Sequence, residues 1–551
     1  MEVHYESDSF SCERESLVET STSGVLRPNG RSIDIDCPKC RRTLGIIRGV
    51  LEVLWHHKAT VAVIRSCAAQ FVAVLHDQDE KTFVKSAKAM LSYPLSKLLG
   101  QPAEAPRVLS GAFRRWAKAR LVFNRPNVHL WYSFQQAKRA AEPLSETFAK
   151  NALYEHKLSL NQPEEELSPG VIGSFLEGIE RETTVCWKAL HGADYELTVG
   201  PTGSSCLEAT RADGGAADYL ATFCDDSDPR NNETGPVEGA VGIDRKDRRH
   251  GLVWQTSVAS EDAKHYLRVG RLLDMSQYDQ LHAVSAAVLE PLKCRIVTKG
   301  PAATYYLTGV FQKIVHKALR HLSPFVLIGR PVEDYDVRNL FVETGRRIQN
   351  IEKEFDAGRD ELWRFMEPEE DWVWHSVDYS AATDAISSQM GLAILDEMIE
   401  GHYGEPLPEW LYHATRSALE GHVIHDGHIK NPGLPQRRGQ LMGSRVSFVI
   451  LCLVNLATVR KADAVYFQDG KRQLPCLING DDMLVLRPRH WAPVHKEIAG
   501  SVGLHTNDKS YVHADYANIN SVAFFHKAKW RMGYLRGSVA LPSRGTFLQT
   551  V

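Results

Sequence analysis

Two hydrophobic periods alternate along this chain. From Ile46 to Leu99 apolar residues recur at helical spacing, as in Leu51, Leu54 and Trp55 and then Val61, Val63 and Ile64, which predicts a helical N-terminal layer. Tyr305 to Leu322 and Ala385 to Glu400 read as further helices. The run Val446 to Val459 is apolar on every side, with arginines at both ends. It is too short to span a bilayer and is predicted to be a core helix. The strand period is clearest in Leu474-Pro-Cys-Leu-Ile-Asn-Gly-Asp-Asp-Met-Leu-Val-Leu486, where two apolar runs flank a tight polar turn. Asn-Gly between such runs predicts a hairpin, whose tip carries Asp481 and Asp482. Upstream, His375-Ser-Val-Asp-Tyr-Ser-Ala-Ala-Thr-Asp384 reads as a strand that runs out at Asp378 and turns toward Asp384 in the first turn of the next helix.

Composition changes this picture at the ends and in the middle. Residues 1–35 are rich in Ser, Glu and Asp and are expected to be loosely ordered. A mostly helical region follows over 36–200. Residues 201–242 shift to Gly, Asp, Asn and Ser; the acids of Cys224-Asp-Asp-Ser-Asp-Pro lack calcium-loop spacing, so a loop or linker is expected there. No internal repeat is visible.

At 551 residues, 43% of them hydrophobic and 24% charged, the chain reads as ordinary globular protein with room for several subdomains. A formal net charge of −3 argues against a histone-like or tail-type nucleic-acid binder, so any RNA contact has to come from local basic surface. The ten cysteines are scattered singly apart from Cys37-Pro-Lys-Cys40, which points to a reducing compartment. That pair is either half of a zinc site or two unpaired thiols. Asn232-Glu-Thr234 matches a glycosylation sequon, yet the polar, acidic start at Met1 predicts neither a secretory signal nor a mitochondrial presequence.

Six stretches carry candidate chemistry. A Gly-Asp-Asp triplet arises by chance roughly 0.1 times in a chain of this length, so the hairpin alone decides little. Its weight comes from the second acidic strand end: carboxylates on neighbouring strand ends can share a pair of Mg²⁺ ions, as in-line phosphoryl transfer requires. Asp378 and Asp481 are the expected ligands, with Asp482 as a ligand or as electrostatic support. Asp384 is either a first-turn acid favoured by the helix dipole or a partner for the ribose of an incoming nucleotide.

The basic strand Lys293-Cys-Arg-Ile-Val-Thr-Lys-Gly300 offers Lys293, Arg295 and Lys299 to a triphosphate, or is simply a basic edge strand. In Gly433-Leu-Pro-Gln-Arg-Arg-Gly-Gln-Leu-Met-Gly-Ser-Arg-Val-Ser-Phe448, glycines 433, 439 and 443 allow close backbone approach. Ser444 and Ser447 offer hydroxyls to sugar or phosphate, and Arg437 and Arg438 suit an RNA backbone. Lys509, in Gly503-Leu-His-Thr-Asn-Asp-Lys-Ser510, is placed to protonate departing pyrophosphate or to stabilise its charge. Phe113-Arg-Arg-Trp-Ala-Lys-Ala-Arg-Leu-Val-Phe-Asn-Arg125, continued by Trp131-Tyr-Ser-Phe-Gln-Gln-Ala-Lys-Arg139, interleaves bases and aromatics. It either grips and stacks RNA or forms an amphipathic helix with a solvated basic side.

In this order the segments resemble the polymerase motifs of positive-strand RNA viruses, above all the ourmia-like (botourmiavirus) group, with narnaviruses and RNA-phage replicases more distant. The resemblance is carried by Lys293-x-Arg295-x-x-x-Lys299-Gly300, Asp378-Tyr-Ser-Ala-Ala-Thr-Asp384, Met442-Gly443-x-x-x-Ser447-Phe448, Gly480-Asp-Asp482, Gly503-Leu-x-x-Asn507-x-Lys509 and Asn520-Ser-Val-Ala-Phe-Phe525, within residues 285–527. It implies an α+β right-hand polymerase of fingers, palm and thumb, with an antiparallel palm sheet backed by helices. Fingers would occupy 243–370, the palm with an intervening fingers segment 371–527, and a short or truncated thumb 528–551.

The resemblance also implies RNA-dependent RNA synthesis from nucleoside triphosphates in the host cell cytoplasm. It would use an RNA template, a product strand and two Mg²⁺ ions, with Mn²⁺ as a substitute. Two features depart from the pattern. Where many such polymerases hold an Asn four residues after the Ser of the third segment, this chain has Leu451, and the nearest Asn is Asn455. Only 69 residues follow Asp482, little for a full thumb. Reverse transcription and a non-catalytic RNA-binding relic are the competing functions. Polar Asp384 and the Asn479-Gly480 that precedes the acids favour ribonucleotides over the first. Retention of the acids and cations speaks against the second.

Overall fold

The computed structural model describes residues 38–75, 79–103, 111–193, 203–221, 281–356, 372–400, 407, 409–470, 473–507, 510–527 and 531–535. Its contacts divide the chain into two units. The first comprises Met1–Phe148, Leu289–Cys294 and Arg536–Val551, and the second Ala149–Val288 with Arg295–Leu535.

The first unit is helical where described, as the 3.6-residue period predicted: α1 (Pro38–His56), α2 (Val61–Leu75), α3 (Glu80–Leu98), α4 (Gly111–Lys118) and α5 (Arg125–Gln136). Ile46, Val50, Leu54, Phe71, Phe83, Leu95, Trp131 and Phe134 form its interior. Asp79 starts α3 by accepting the Thr82 N–H at 3.0 Å, and Asn124 does the same for α5 through Asn127 at 2.9 Å.

The second unit opens on α6 (Glu146–Leu160), whose first residues fall in the first unit, and on α7 (Pro169–His191) and α8 (Gly215–Ala221). Part of the stretch expected to be a loop is therefore structured. Its described residues, 203–221, include α8, and Cys206 and Leu220 are buried with Ala302, Ala303 and Leu307. β1 (His282–Glu290) and β2 (Lys293–Lys299) follow, then α9 (Ala302–Leu319) and α10 (Asp334–Asp356). Next come β3 (Trp372–Val377), α11 (Ala382–Ala385), α12 (Ser388–Glu400), α13 (Glu409–Ser417), β4 (Val423–Asp426) and β5 (Leu434–Pro435). The chain then runs through α14 (Ser447–Phe467), β6 (Cys476–Asn479), β7 (Asp482–Pro488), α15 (Trp491–Ser501), β8 (Tyr511–His513), β9 (Tyr516–Ile519), β10 (Val522–Lys527) and β11 (Arg531–Leu535).

Three sheets result, in the orders β2-β1-β4-β5, β6-β7-β3-β8 and β11-β10-β9. The second is antiparallel throughout and is buried on both faces. Val377, Met483 and Val485 face a core built from α7, α9, α12, α14 and α15, whereas Trp374, Leu484 and Leu486 pack with Val337, Leu340, Ile519 and Phe524. Burial on both faces explains why the hairpin strands read as apolar runs, Cys476-Leu-Ile478 and Met483-Leu-Val-Leu486.

Two elements differ from their expected lengths. The helix expected over Ala385–Glu400 is two, because Ile386 is extended at ψ 143° and Ser387 accepts the Met390 N–H at 3.1 Å to begin α12 afresh. The core helix expected to stop at Val459 continues to Phe467. Arg460, the charge that ended the apolar run, is itself buried and bonded to Glu182 at 3.1 Å. Below it, Asp463 and Arg487 form a fully buried two-pronged pair at 2.7 and 2.8 Å. No helix among the described residues is long and apolar enough to cross a membrane.

Candidate active site

The β6–β7 hairpin closes on a two-residue loop, Gly480-Asp481, flanked by the pair Asn479 and Asp482. Gly480 has φ +67° while Asp481 does not, the pattern of a type II′ turn. The sequence signal marked Asn-Gly as the turn; the structure moves the turn one residue on and puts an acid at its second position. β3 pairs with β7 as far as Val377 opposite Met483, so one further step sets Asp378 opposite Asp482. The two acidic strand ends thus meet at one edge of one sheet, with Asp481 exposed and Asp378 and Asp482 half-buried.

The chain beyond α15 anchors the backbone at Asp378. Its N–H donates to Ser510 Oγ at 3.2 Å, its carbonyl accepts from the Asn507 N–H at 3.0 Å, and Asn507 Nδ2 donates to the Tyr379 carbonyl at 3.2 Å. Lys509, expected between these anchors, lies outside the described residues.

Beneath the acids, α14 ties the two strand ends together. Tyr379 donates its hydroxyl to Asn455 Oδ1 at 3.0 Å, and Asn455 Nδ2 donates to the Gly480 carbonyl at 3.0 Å. The Gly480 N–H points to Cys452 Sγ at 3.2 Å, and burial pushes that thiol up to about 12, so it stays neutral. Asn455 is eight residues from Ser447, about 12 Å along a helix, and fully buried; it bridges the neighbours of Asp378 and Asp481. The one clue in the sequence was a lone Asn inside an apolar run. Asn455→Leu would leave the buried Gly480 carbonyl without this donor and the buried Tyr379 hydroxyl with the His495 ring at 3.3 Å but without its amide acceptor. It is expected to cost about 2–4 kcal/mol in a urea titration and to slow catalysis at saturating substrate; an unchanged midpoint would show that the bridge holds nothing.

The glycine-rich loop lies on the Asp384 turn. Gly439, at φ +75°, donates its N–H to the Ile386 carbonyl at 3.0 Å, and Gln440 donates to the Thr383 carbonyl at 2.6 Å. Asp384 is half-buried. Thr383 donates to its Oδ1 at 3.1 Å, and His156 Nε2 from α6 stands 3.6 Å from the same oxygen. Burial pushes the Asp384 carboxyl up, and His156, Thr383 and Arg438 pull it back. No sequence signal pointed to His156.

Further along the same loop, Gly443 donates to Thr298 Oγ1 at 2.9 Å and abuts the Thr298 carbonyl so closely that a methyl group would overlap it. This contact joins the loop to the end of β2 that carries Lys299. Gly443→Ala is expected to separate the two at a cost of about 1–3 kcal/mol, read by thermal denaturation, with weaker nucleotide binding; full stability would mean that the loop yields freely.

The other expected residues are placed as follows. Arg295 is exposed and Lys299 half-buried in the second unit, whereas Lys293, also exposed, falls in the first. Arg437 is exposed. Arg438 is half-buried and donates Nε to the Ser159 carbonyl at 3.1 Å, so part of its guanidinium serves the protein. Ser444 is buried and accepts the Val446 N–H at 3.3 Å. The buried Ser447 hydroxyl finds no hydrogen-bond partner among the described residues. In the first unit, Phe113 is 2% exposed and stacks with Phe134, while Arg114, Arg115 and Lys118 are exposed. The helix covers the start of that stretch; the buried Phe113 ring is not open to a base, and the exposed cations fit either alternative. Cys40 is buried, and Cys37, Cys224 and Asn232 lie outside the described residues.

Among the described residues no three His, Cys, Asp or Glu side chains converge into a ready-made metal cage. The donor set at the strand ends is nevertheless of the right kind: hard carboxylate oxygens suit Mg²⁺ or Mn²⁺, and Mg²⁺ is ordinarily held by one or two carboxylates with water and substrate phosphate. Asp378, Asp481 and Asp482 fit that role.

No protein-family model matches the chain. Its sequence is 27% identical over 504 residues to the RNA-dependent RNA polymerase of Ourmia melon virus (isolate Melon/Iran/VE9), covering 86% of this chain and 54% of that protein. The chain therefore spans about half the length of the curated relative it matches. Its fold matches the BmCPV RNA-dependent RNA polymerase at elongation state with a TM-score of 0.53 and 10% identity, over 89% of this chain and 43% of that one. The mixed helix and strand content and the antiparallel sheet fit a right-hand polymerase. In sequence the chain is similar to an ourmia-virus RNA-dependent RNA polymerase, and in fold to a viral RNA-dependent RNA polymerase.

Proposed function

We propose that this chain catalyses template-directed RNA synthesis from nucleoside triphosphates, copying a viral RNA genome. The observation that carries the reading is the meeting of Asp378, Asp481 and Asp482 at one sheet edge. The glycine-rich loop connects the Asp384 turn to Thr298, beside Lys299, in the same unit. Within that reading the palm spans 371–527, with an intervening fingers segment, and the fingers 243–370.

Two divalent ions, Mg²⁺ or in its place Mn²⁺, would be held by Asp378 and Asp481 with support from Asp482, and would supply Lewis-acid activation and charge neutralisation. The chain's own groups do the rest. Asp384 accepts a hydrogen bond from the incoming ribose, and its acceptor character favours a sugar that carries a 2′-hydroxyl. Arg295 and Lys299, with Lys293 further along the strand, neutralise triphosphate charge on its approach. Gly443 lets the loop backbone lie close to β2, Ser444 and Ser447 stand at its turn into α14, and Arg437 with Arg438 faces the RNA backbone. Lys509 protonates the departing pyrophosphate or stabilises its charge.

The test is incorporation of radiolabelled ribonucleotide against deoxyribonucleotide on a short RNA template with Mg²⁺. Ribonucleotide incorporation supports the reading. Deoxynucleotide preference would make the chain a reverse transcriptase, and RNA binding without any incorporation would make it a relic.

A further inference from the structure

Building on the polymerase reading, on which it rests, we propose that His156 is a positioning residue for sugar selection. Its Nε2–H is aimed at Oδ1 of Asp384 and thereby leaves Oδ2 to accept from the 2′-hydroxyl of the incoming nucleotide. His156 lies on α6, far from the polymerase motifs in sequence, with a side chain 4% exposed. Its Nδ1 is 3.1 Å from Ser285 Oγ of β1, a residue that is itself fully buried. Its Nε2 is buried without a hydrogen-bond partner among the described residues, and the Asp384 carboxylate stands 3.6 Å away. That distance is too long for a formed hydrogen bond. Contacts of this kind are often loose before substrate is bound and tighten in the complex.

The protonation pattern follows from the surroundings. Burial lowers the His156 pKa, so the ring is neutral and carries one N–H. We take the Ser285 hydroxyl as the donor to Nδ1, which puts the ring proton on Nε2, facing the carboxylate. Oδ1 already accepts from Thr383 Oγ1 at 3.1 Å and faces His156 Nε2 at 3.6 Å, whereas Oδ2 takes no hydrogen bond among the described residues. The Asp384 side chain is still 22% exposed, enough to meet a ligand. The backbone beneath it cannot drift, because Gln440 and Gly439 bond the carbonyls of Thr383 and Ile386 on either side. A carboxylate held by one oxygen presents the other in a fixed direction. A ribonucleotide fills it, and a deoxynucleotide leaves it unmatched.

The experiment uses the full chain and measures kcat/KM for a ribonucleotide and its 2′-deoxy counterpart on one RNA template. The variants are His156→Leu, His156→Gln and Ser285→Ala, with thermal midpoints recorded alongside. His156→Leu is expected to lower the ribo-to-deoxy ratio roughly tenfold, chiefly through a higher KM for the ribonucleotide. His156→Gln, which keeps an N–H donor, restores most of the ratio. Ser285→Ala leaves the imidazole but frees its tautomer, and shifts the ratio the same way by less; it decides the matter if His156→Leu does not fold. A ratio unchanged in the leucine and alanine variants, or an equal loss for both nucleotides, overturns the proposal while the polymerase reading stands. A wild-type chain that incorporates no ribonucleotide overturns the polymerase reading and this inference with it.

Discussion

Asp481→Ala is expected to lower Mg²⁺-dependent ribonucleotide incorporation by roughly a thousandfold or more, with the fold intact. Asp481 is exposed at the second position of the turn, where φ is not positive, so alanine meets no backbone strain. The hairpin itself is held from below through Gly480, whose carbonyl accepts from Asn455 and whose N–H meets Cys452. The change in stability should therefore stay within about 0.5 kcal/mol. What would be lost is a carboxylate to hold a divalent ion, which would neutralise the charge that builds as the phosphodiester forms. Because such an interaction matters most in the transition state, the rate at saturating nucleotide should fall while RNA binding is retained. A filter-binding assay beside a primer-extension or de novo synthesis assay separates the two. Activity that survives the substitution would mean the metal site lies elsewhere.

The largest effect on stability is expected at the Asp463–Arg487 pair. Arg487 belongs to β7, the strand that begins at Asp482, and Asp463 belongs to α14, which also supplies Asn455 and Cys452. Both side chains are fully buried, and Arg487 further donates to the carbonyls of Pro475, Leu486 and Leu474 at 3.1, 2.9 and 3.3 Å. Burial pushes the Asp463 carboxyl up and the guanidinium pulls it down. The two-pronged bond supplies both carboxylate oxygens with N–H donors in a place water does not reach. Removing one partner strands the other charge in the core, so Asp463→Leu or Arg487→Met should cost about 3–5 kcal/mol in urea denaturation. Replacing both together should cost far less, since two apolar side chains strand no charge. The single variants should also lose activity at temperatures the wild type tolerates, because the strand bearing Asp482 is clamped to its helix here. Single variants costing under about 1 kcal/mol would show that the core rehydrates around the remaining charge.

Local signals were sufficient wherever the physics is local. The helical period over 46–99 and the Asn-Gly hairpin could be read from neighbours alone, because a helix or a tight turn is decided within a few residues. The hairpin nevertheless shifted by one position, since Gly480 takes the positive φ first and the pairing of Asn479 with Asp482 fixes the rest. The ordered acids and glycines also announced which segments belong to one site. The two helices in place of one after Asp384 escaped detection, because Gly439 and Val502 occupy the backbone groups that a continuous helix would have used.

By itself the sequence determined the residue types that carry the chemistry and their order: Asp378 at a strand end, Asp384 in the helical turn after it, glycines in a loop, Asp481 and Asp482 in a turn. Only the tertiary structure decided which buried polar groups serve one another. Asn455 was a lone amide in an apolar run until Tyr379 and Gly480 met it. Arg460 marked the end of a helix until Glu182 buried it, and His156 had no visible role until the fold set it beside Asp384. The reason is physical. A buried polar group must find a partner, but that partner is supplied by whichever distant element packs against it, and spacing along the chain does not record that choice.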